Sequence, residues 1–133
     1  MSGLNEDAKA LLRRPYLAWA TTIRPDGSPH NTVVWADLDG DDVIFNTAVG
    51  RAKERHLRAD PRVSVSMLDP GDAFHAVSVS GRARLEEDGA DAVIDRLAKK
   101  YLDADGYPYR RQGERRVTVR VPADRVIYLP GSG

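Results

Sequence analysis

Apolar and polar residues alternate along most of the chain with the two-residue period of half-buried β-strands. This alternation predicts strands at residues 16–23, 30–38, 43–46, 62–68, 74–85, 116–121 and 125–129. Turn residues such as the Pro, Asp and Gly of residues 25–27 separate most of these runs at hairpin length. We therefore expect a mainly β fold, an antiparallel β-barrel of about six strands, and not a doubly wound parallel sheet.

Three segments have a helical period and are predicted to be helices inserted in the barrel. Residues 5–13 form a short amphipathic helix with Asn5 as its N-cap. A basic segment at residues 46–62 contains a helix-length stretch between two strands. The third helix opens near Ala90 with Asp88 as the expected N-cap. Its apolar face consists of Val93, Ile94, Leu97, Ala98 and Tyr101. No repeat or linker divides the chain, so we expect one domain spanning residues 1–133.

Composition and charge narrow the class of protein. The chain has 133 residues and no cysteine, which removes thiol catalysis, iron–sulfur clusters and disulfides. Twenty basic side chains balance twenty acidic ones, so no net field attracts nucleic acid or an anionic membrane. We expect no secretory leader and no membrane span, and hence a cytoplasmic protein without nucleic-acid or membrane partners.

The basic segment at residues 46–62, NTAVGRAKERHLRADPR, is the most informative part of the chain. It contains five cations against the two anions Glu54 and Asp60; the cations are Arg51, Lys53, Arg55, Arg58 and Arg62. A strand, a glycine and a basic helix start together favour binding of an anionic ligand, because free backbone N–H groups attract negative charge. A solvated connecting helix is the competing interpretation.

The chain shows no catalytic constellation of its own. The three histidines, His30, His56 and His75, have no metal-ligand spacing, so we expect no metal site. Neither a Gly-x-Ser-x-Gly elbow nor a glycine-rich phosphate loop is present. If the protein is an enzyme, a cofactor is therefore expected to carry the chemistry, and we assign no catalytic side chain.

Several sequence runs together resemble a known family. They are PDGSPHNTVVW at 25–35, IFNTAVGRAKERHLRADPRVSVSMLD at 44–69, VSGRARLEEDGADAVIDRLAKKYLDADGYPYR at 79–110 and RRVTVRVPADRV at 115–126. In order and spacing the chain resembles the pyridoxamine 5'-phosphate oxidase-like, FMN-binding split-barrel superfamily. Within it, the chain is most similar to the small deazaflavin-dependent oxidoreductases that use coenzyme F420.

This resemblance implies a six-stranded antiparallel split β-barrel of Greek-key type. It also implies a homodimer with the cofactor at its interface. The implied activity is hydride transfer from reduced F420 to a small organic acceptor. The same fold with FMN as oxidase or reductase is the nearest alternative, and a non-catalytic cofactor carrier is another. Nucleic-acid binding through the arginine-rich C-terminal strand is disfavoured by the zero net charge.

The resemblance also implies which residues bind the cofactor. Arg51 and Lys53 would hold its phosphate, and Asn46 and Thr47 would bond the phosphate or the linker of the ring. The strand wall beside the ring would consist of Val33, Val34 and Trp35.

Four further residues keep two interpretations each. His56 either donates to the phosphate or packs behind the helix. Phe74 is expected to fill the core or an interface, with a ring contact as the alternative. Tyr107 and Tyr109 either line a substrate pocket or cap the barrel.

Overall fold

The computed structural model describes residues 3–132, which form two antiparallel sheets and three helices. In chain order the elements are α1 (Glu6–Leu12), β1 (Ala18–Ile23), β2 (Pro29–Val34), β3 (Asp37–Asp39), β4 (Asp42–Ala48), α2 (Ala52–Ala59), β5 (Arg62–Leu68), β6 (His75–Arg82), β7 (Arg84–Glu86), α3 (Ala90–Leu102), β8 (Arg116–Pro122) and β9 (Arg125–Pro130). Within residues 3–132, no helix is long and apolar enough to cross a membrane.

The two sheets enclose one apolar core. The first has the strand order β2-β1-β5-β6-β9 and the second has the order β3-β4-β8-β7. Phe45, Val65, Val79 and Val119 are fully buried in this core, with strands of both sheets contributing. Pairs such as β1–β5 and β4–β8 join strands that are distant in sequence, as in a Greek-key connection. The sheets stay separate, so the predicted mainly β, antiparallel split barrel is confirmed.

The described residues contain nine strands, whereas the sequence pattern gave seven alternating runs and an expected barrel of about six strands. Two predicted strands each break into two. Residues 30–38 leave the first sheet after Val34 and enter the second at Asp37, and residues 74–85 do the same around Ala83. Alternation continues through such a crossing, because each half still has a buried and an exposed face. The period therefore shows where strands run and does not show where the chain changes sheet.

Gly81 permits one of these crossings. A Cβ atom at this position would lie 2.2 Å from the carbonyl oxygen of Pro122, far inside van der Waals contact. Ala83 then donates its N–H to the carbonyl oxygen of Pro61 at 2.7 Å. The backbones of β6 and the β8–β9 turn can approach this closely only because residue 81 has no side chain.

The helix caps agree with the sequence at one helix and differ at another. The Asn5 side chain accepts the N–H of Ala8 at 2.7 Å, so the predicted N-cap of α1 is confirmed. At α3 the predicted cap Asp88 is wrong. Gly89 occupies the N-cap with φ +76°, and no side chain caps the helix. The left-handed turn at Gly89 places Asp88 one residue too early to reach the first helical N–H groups.

A buried carboxylate anchors the start of α2. Gly50 turns the chain with φ +91°, and its N–H donates to Oε1 of Glu54 at 2.8 Å. Arg58 Nε donates to the other oxygen of the same carboxylate. The Gly50 N–H, helped by Arg58, lowers the pKa of Glu54 below its usual value. The carboxylate thus fixes the glycine turn to the helix that follows it.

Glu54→Ala is expected to lower the free energy of unfolding by about 2 kcal/mol, since hydrogen bonds to a charged group contribute roughly 1.5–3 kcal/mol. Urea denaturation near neutral pH measures this effect. Glu6→Ala is the matched control, because Glu6 is a mostly exposed residue in the first turn of α1. Equal stability of the two variants would contradict an anchoring role for Glu54.

Candidate functional site

A cleft of about 220 Å³ opens where the ends of β2 and β4 meet the start of α2. The far wall comes from α3, from the loop that follows it and from β8. The lining residues are Val33, Val34, Trp35, Asn46, Thr47, Arg51, Lys53, Ile94, Leu97, Tyr107, Tyr109 and Arg116. Parts of the sequence that are far apart meet here, so the cleft depends on the complete fold.

The start of α2 is directed by the strand before it. β4 ends at Ala48, and Val49 donates its N–H to the carbonyl oxygen of Arg115 at 2.8 Å. The turn at Gly50 then begins α2, with Arg51 as an N-cap that makes no side-chain cap bond. Uncapped N–H groups at a helix start carry partial positive charge and favour an anion.

Three cationic side chains, Arg51, Lys53 and Arg116, line this end of the cleft and are called the cation cluster below. Glu114 bridges two of them, with Oε2 at 3.1 Å from Arg51 Nη2 and Oε1 at 3.0 Å from Arg116 Nη1. The Arg116 side chain is almost fully buried, and its Nε donates to Oδ1 of Asn46 at 2.8 Å. The cluster keeps a positive excess, because one carboxylate faces three cations.

Lys53 has the least compensated charge of the three. Its Nζ donates to Oγ1 of Thr32 at 3.0 Å, and among residues 3–132 no carboxylate forms an ion pair with it. Burial, and then the nearby charges of Arg51 and Arg116, lower the pKa of Lys53. An anion placed among these groups would favour the charged amine, so the cluster fits a phosphate.

Aromatic side chains form a second wall of the cleft, next to the cation cluster, since the Arg116 guanidinium lies 5.1 Å from the centroid of the Tyr107 ring. Trp35 stacks on Tyr101 with ring centroids 5.6 Å apart, and it lies edge-to-face with Tyr107 at a centroid distance of 6.1 Å. Tyr101 is fixed from behind, because its hydroxyl donates to the carbonyl oxygen of Tyr16 at 2.6 Å. Burial raises the pKa of Tyr101 to about 12. This wall therefore presents flat, rigid apolar surface to a ligand.

Strand β2 forms a rim of the cleft. It is the edge strand of its sheet, so one side of its backbone is free of strand partners within residues 3–132. Val33 is 47% exposed at this rim, while Val34 beside it is buried. An edge strand offers backbone donors and acceptors to a ring that lies beside it.

Comparison with known proteins identifies the family. A family model described as pyridoxamine 5'-phosphate oxidase matches residues 4–129, which is nearly the whole chain. The chain belongs to this family. The membership predicted from the sequence motifs is therefore confirmed.

Three known proteins illustrate what the chain is similar to. An F420H2-dependent biliverdin reductase of Mycobacterium tuberculosis is 32% identical over 127 residues, covering 93% of this chain and 87% of that protein. A solved structure named F420 reductase has a TM-score of 0.80 at 28% identity and covers 93% of this chain and 98% of its own. A conserved hypothetical protein of M. tuberculosis has a TM-score of 0.76 at 25% identity, covering 94% and 84%.

The cleft of this family member contains seven of the eight residues that the resemblance implied. They are Val33, Val34, Trp35, Asn46, Thr47, Arg51 and Lys53. The Asn46 side chain is already engaged, since its amide donates to the carbonyl oxygen of Ala90 at 3.0 Å and its oxygen accepts from Arg116. Asn46 therefore orients Arg116, and its own side chain has little freedom to bond a ligand.

His56, for which contact with the phosphate was one of two interpretations, is not among the residues that line the cleft. It lies almost one helical turn beyond Lys53, and its ring faces β1 and β2. Nδ1 lies 2.9 Å from Oγ1 of Thr22, and the ring meets His30 edge-on at 5.0 Å. Of the two interpretations of His56, packing behind the helix agrees with this geometry.

The two histidines give an expected pH dependence of stability. Burial, followed by the charge of Arg24, lowers the pKa of both His30 and His56 from 6.5. The unfolded chain takes up protons at these groups as the pH falls below 6.5, whereas the folded chain resists protonation. Their contribution to stability is therefore fully present above pH 6.5 and is lost in acid.

A double variant with His30→Gln and His56→Gln is expected to show a smaller pH dependence than the unmodified protein. Urea denaturation at several pH values from about 7 down to about 5 measures the slope of the unfolding free energy. Identical slopes in the two proteins would show that these imidazoles do not cause the acid sensitivity.

The structure also adds residues that the sequence did not assign to the site. Arg116 and Arg120 share a strand, yet Arg116 enters the cation cluster while Arg120 pairs with Asp39, Asp42 and Glu86. Glu114 is another addition, because nothing in its sequence context shows which cations it will meet.

Phe74 lies in the turn before β6, is 67% exposed and does not line the cleft.

Proposed function

We propose that residues 1–133 form one deazaflavin-binding domain, whose cleft holds coenzyme F420 for hydride transfer to a small organic acceptor. The observation that carries this proposal is that the cation cluster around Lys53 and an aromatic wall line the same cleft. Two of the relatives described above are named as F420-dependent reductases, and they confirm the predicted class, an F420-dependent oxidoreductase. FMN is the alternative cofactor of the fold, because it shares the tricyclic ring and the ribityl phosphate.

The lining residues divide between the two ends of such a cofactor. We assign the phosphate to the cation cluster and to the uncapped start of α2, near Thr47. The ring would lie along the edge of β2, with Val33, Val34 and Trp35 as its wall. Backbone groups of this edge strand would bond the polar edge of the ring.

Hydride chemistry comes from the bound reduced deazaflavin. The chain contributes orientation, because a fixed phosphate and a fixed strand edge hold the ring in one position beside the acceptor. Buried apolar side chains such as Ile94 and Leu97 exclude water from the floor of the cleft. Tyr101 is unsuited as an acid, since its hydroxyl already donates to Tyr16 and its pKa is about 12. The proton therefore comes from solvent or from a donor other than Tyr101.

A planar conjugated acceptor suits the aromatic wall of the cleft. Tyr107 and Tyr109 meet edge-on at 5.8 Å, and both face the cleft beside Trp35. Flat π-surfaces bind flat conjugated molecules through offset stacking and edge contacts. The 32% identical relative is a biliverdin reductase, so biliverdin is the first acceptor to test.

We also propose a homodimer that closes the cleft. The outer face of the five-stranded sheet presents five exposed apolar side chains, which are Trp19, Val33, Leu68, Ile127 and Leu129. Strand register aligns them, since Trp19 lies opposite Val33, and Ala76 lies between Leu68 and Leu129. Val33 belongs to both this face and the cleft, so a partner on the face would border the cofactor.

The cytoplasmic location stays a prediction.

Titration of the purified protein with F420 and, separately, with FMN tests the cofactor. Ligand fluorescence and absorbance give the two dissociation constants, and we expect tighter binding of F420. Reduced F420 is then mixed with biliverdin, quinones or enones, and its reoxidation is followed. Tight FMN binding without measurable F420 affinity would overturn the proposal. Binding of F420 without turnover of any acceptor would instead favour a cofactor carrier.

A further inference from the structure

The loop between α3 and β8, residues 103–115, supplies the two tyrosines of the aromatic wall. We call it the cleft loop. It begins at Asp103, which has the left-handed φ of +54°, and it turns again at Gly113 with φ +75°. Tyr107 and Tyr109 are the loop residues that face the cleft, and Tyr109 is 63% exposed. Irregular, exposed segments of this kind keep one conformation only when side chains tie them down.

Two carboxylates of α3 tie this loop to the helix. Asp91 and Asp95 are four residues apart, so they lie on the same face of α3. The guanidinium of Arg110 spans both, with Nη1 at 2.7 Å from Oδ1 of Asp91 and Nη2 at 2.7 Å from Oδ1 of Asp95. The same Asp95 oxygen accepts the backbone N–H of Tyr107 at 2.9 Å. We call Asp91, Asp95 and Arg110 the latch.

The latch lies outside the cleft, yet it controls a residue inside it. None of its three residues lines the cleft. The backbone bond to Asp95 sets the position of Tyr107, whose ring lies under the Arg116 guanidinium at 5.1 Å and beside Trp35. Tyr109 packs on Tyr107 in turn. A movement at Asp95 would therefore displace both tyrosines together.

We propose that the latch positions the Tyr107–Tyr109 wall and thereby sets the affinity of the cleft for its planar acceptor. This rests on the proposed function, since the wall faces the place assigned to the acceptor. The latch residues are positioning residues, because they act through Tyr107. Exposed ion pairs contribute little to global stability, so breaking the latch loosens the loop and leaves the barrel folded.

Arg110→Gln is the test variant, and Arg111→Gln is its matched control. Both remove one positive charge from adjacent loop residues, but the Arg111 side chain makes no ion pair in the described structure. Hydrogen–deuterium exchange of the peptide covering residues 103–113 reports the loop directly. We expect exchange about tenfold faster in Arg110→Gln and unchanged in Arg111→Gln. Arg110→Lys keeps the positive charge but lacks the planar guanidinium that bonds both carboxylates, so it should give an intermediate exchange rate.

The second measurement is the steady-state kinetics of the enzyme with F420 bound. In Arg110→Gln we expect KM for the acceptor to increase about fivefold, with kcat and the dissociation constant of F420 within about twofold of their original values. Equal exchange in Arg110→Gln and Arg111→Gln would overturn the latch. Faster exchange with an unchanged KM would overturn its role in acceptor binding. If the unmodified protein reduces no acceptor, the proposed function fails, and the exchange arm still decides whether the latch holds the loop.

Discussion

Lys53→Glu is expected to weaken F420 binding by about 100-fold, because it removes a charge-assisted bond worth roughly 1.5–3 kcal/mol and adds repulsion. The new carboxylate would face the phosphate from the position that the amine holds now. Arg51 and Arg116 would be drawn toward it and away from the ligand. Folding should change far less, since Lys53 makes one side-chain hydrogen bond, to Thr32. Ligand titration and urea denaturation on the same samples measure the two effects.

Lys99→Glu is the matched control, as it makes the same charge reversal on α3 outside the cleft. We expect its F420 affinity to stay within about twofold of the unmodified protein. Raising the salt concentration should weaken F420 binding to the unmodified protein, since ions screen charges that are partly exposed. Equal affinities of Lys53→Glu and the unmodified protein would remove Lys53 from the site.

Leu68→Asp is expected to convert the proposed homodimer to a monomer at micromolar concentration. Leu68 lies on the central strand of the outer sheet face and is 50% exposed, so the single chain tolerates the change. In a two-fold dimer each substitution occurs twice, and unpaired carboxylates would be buried at a cost of several kcal/mol. Sedimentation velocity gives the mass of the unmodified and variant proteins in solution.

Leu102→Asp provides the same substitution at a comparable exposure, 43%, but at the end of α3 and away from the sheet face. This control should remain a dimer. Because Val33 borders both the outer face and the cleft, the Leu68→Asp monomer should also bind F420 more weakly. A monomeric unmodified protein, or a variant that stays dimeric, would contradict the proposed interface.

Part of the candidate site could be predicted from the sequence because its residues lie in contiguous runs. Val33, Val34 and Trp35 are consecutive, Asn46 and Thr47 lie at the end of one strand, and Arg51 and Lys53 follow that strand. A strand that ends in a glycine turn and a helix directs these side chains to one place. His56, for which the resemblance left contact with the phosphate and packing behind the helix both open, does not line the cleft, because its ring packs against His30 and Thr22.

The other half of the site comes from segments about 60 residues further along the chain, and no local pattern relates them to the first half. Arg116 belongs to the cation cluster, and Glu114 bonds to it, only because β8 pairs with β4 in a register that sets Ala48 opposite Arg116. Tyr107 and Tyr109 reach the cleft through the loop that Asp95 holds. Such pairings are fixed by the global packing of the sheets and not by the residues themselves.

The sequence by itself determined the strand periods, the family and the basic helix start, since each follows from residue type and local spacing. Only the tertiary structure decided where two long strands cross between sheets, and which of two neighbouring arginines on β8 enters the cleft. Arg116 and Arg120 look alike in sequence, and their neighbours on the adjoining strands assign one to the cation cluster and the other to three surface carboxylates. Long-range register makes that choice, because strand pairing brings together side chains that no local period relates.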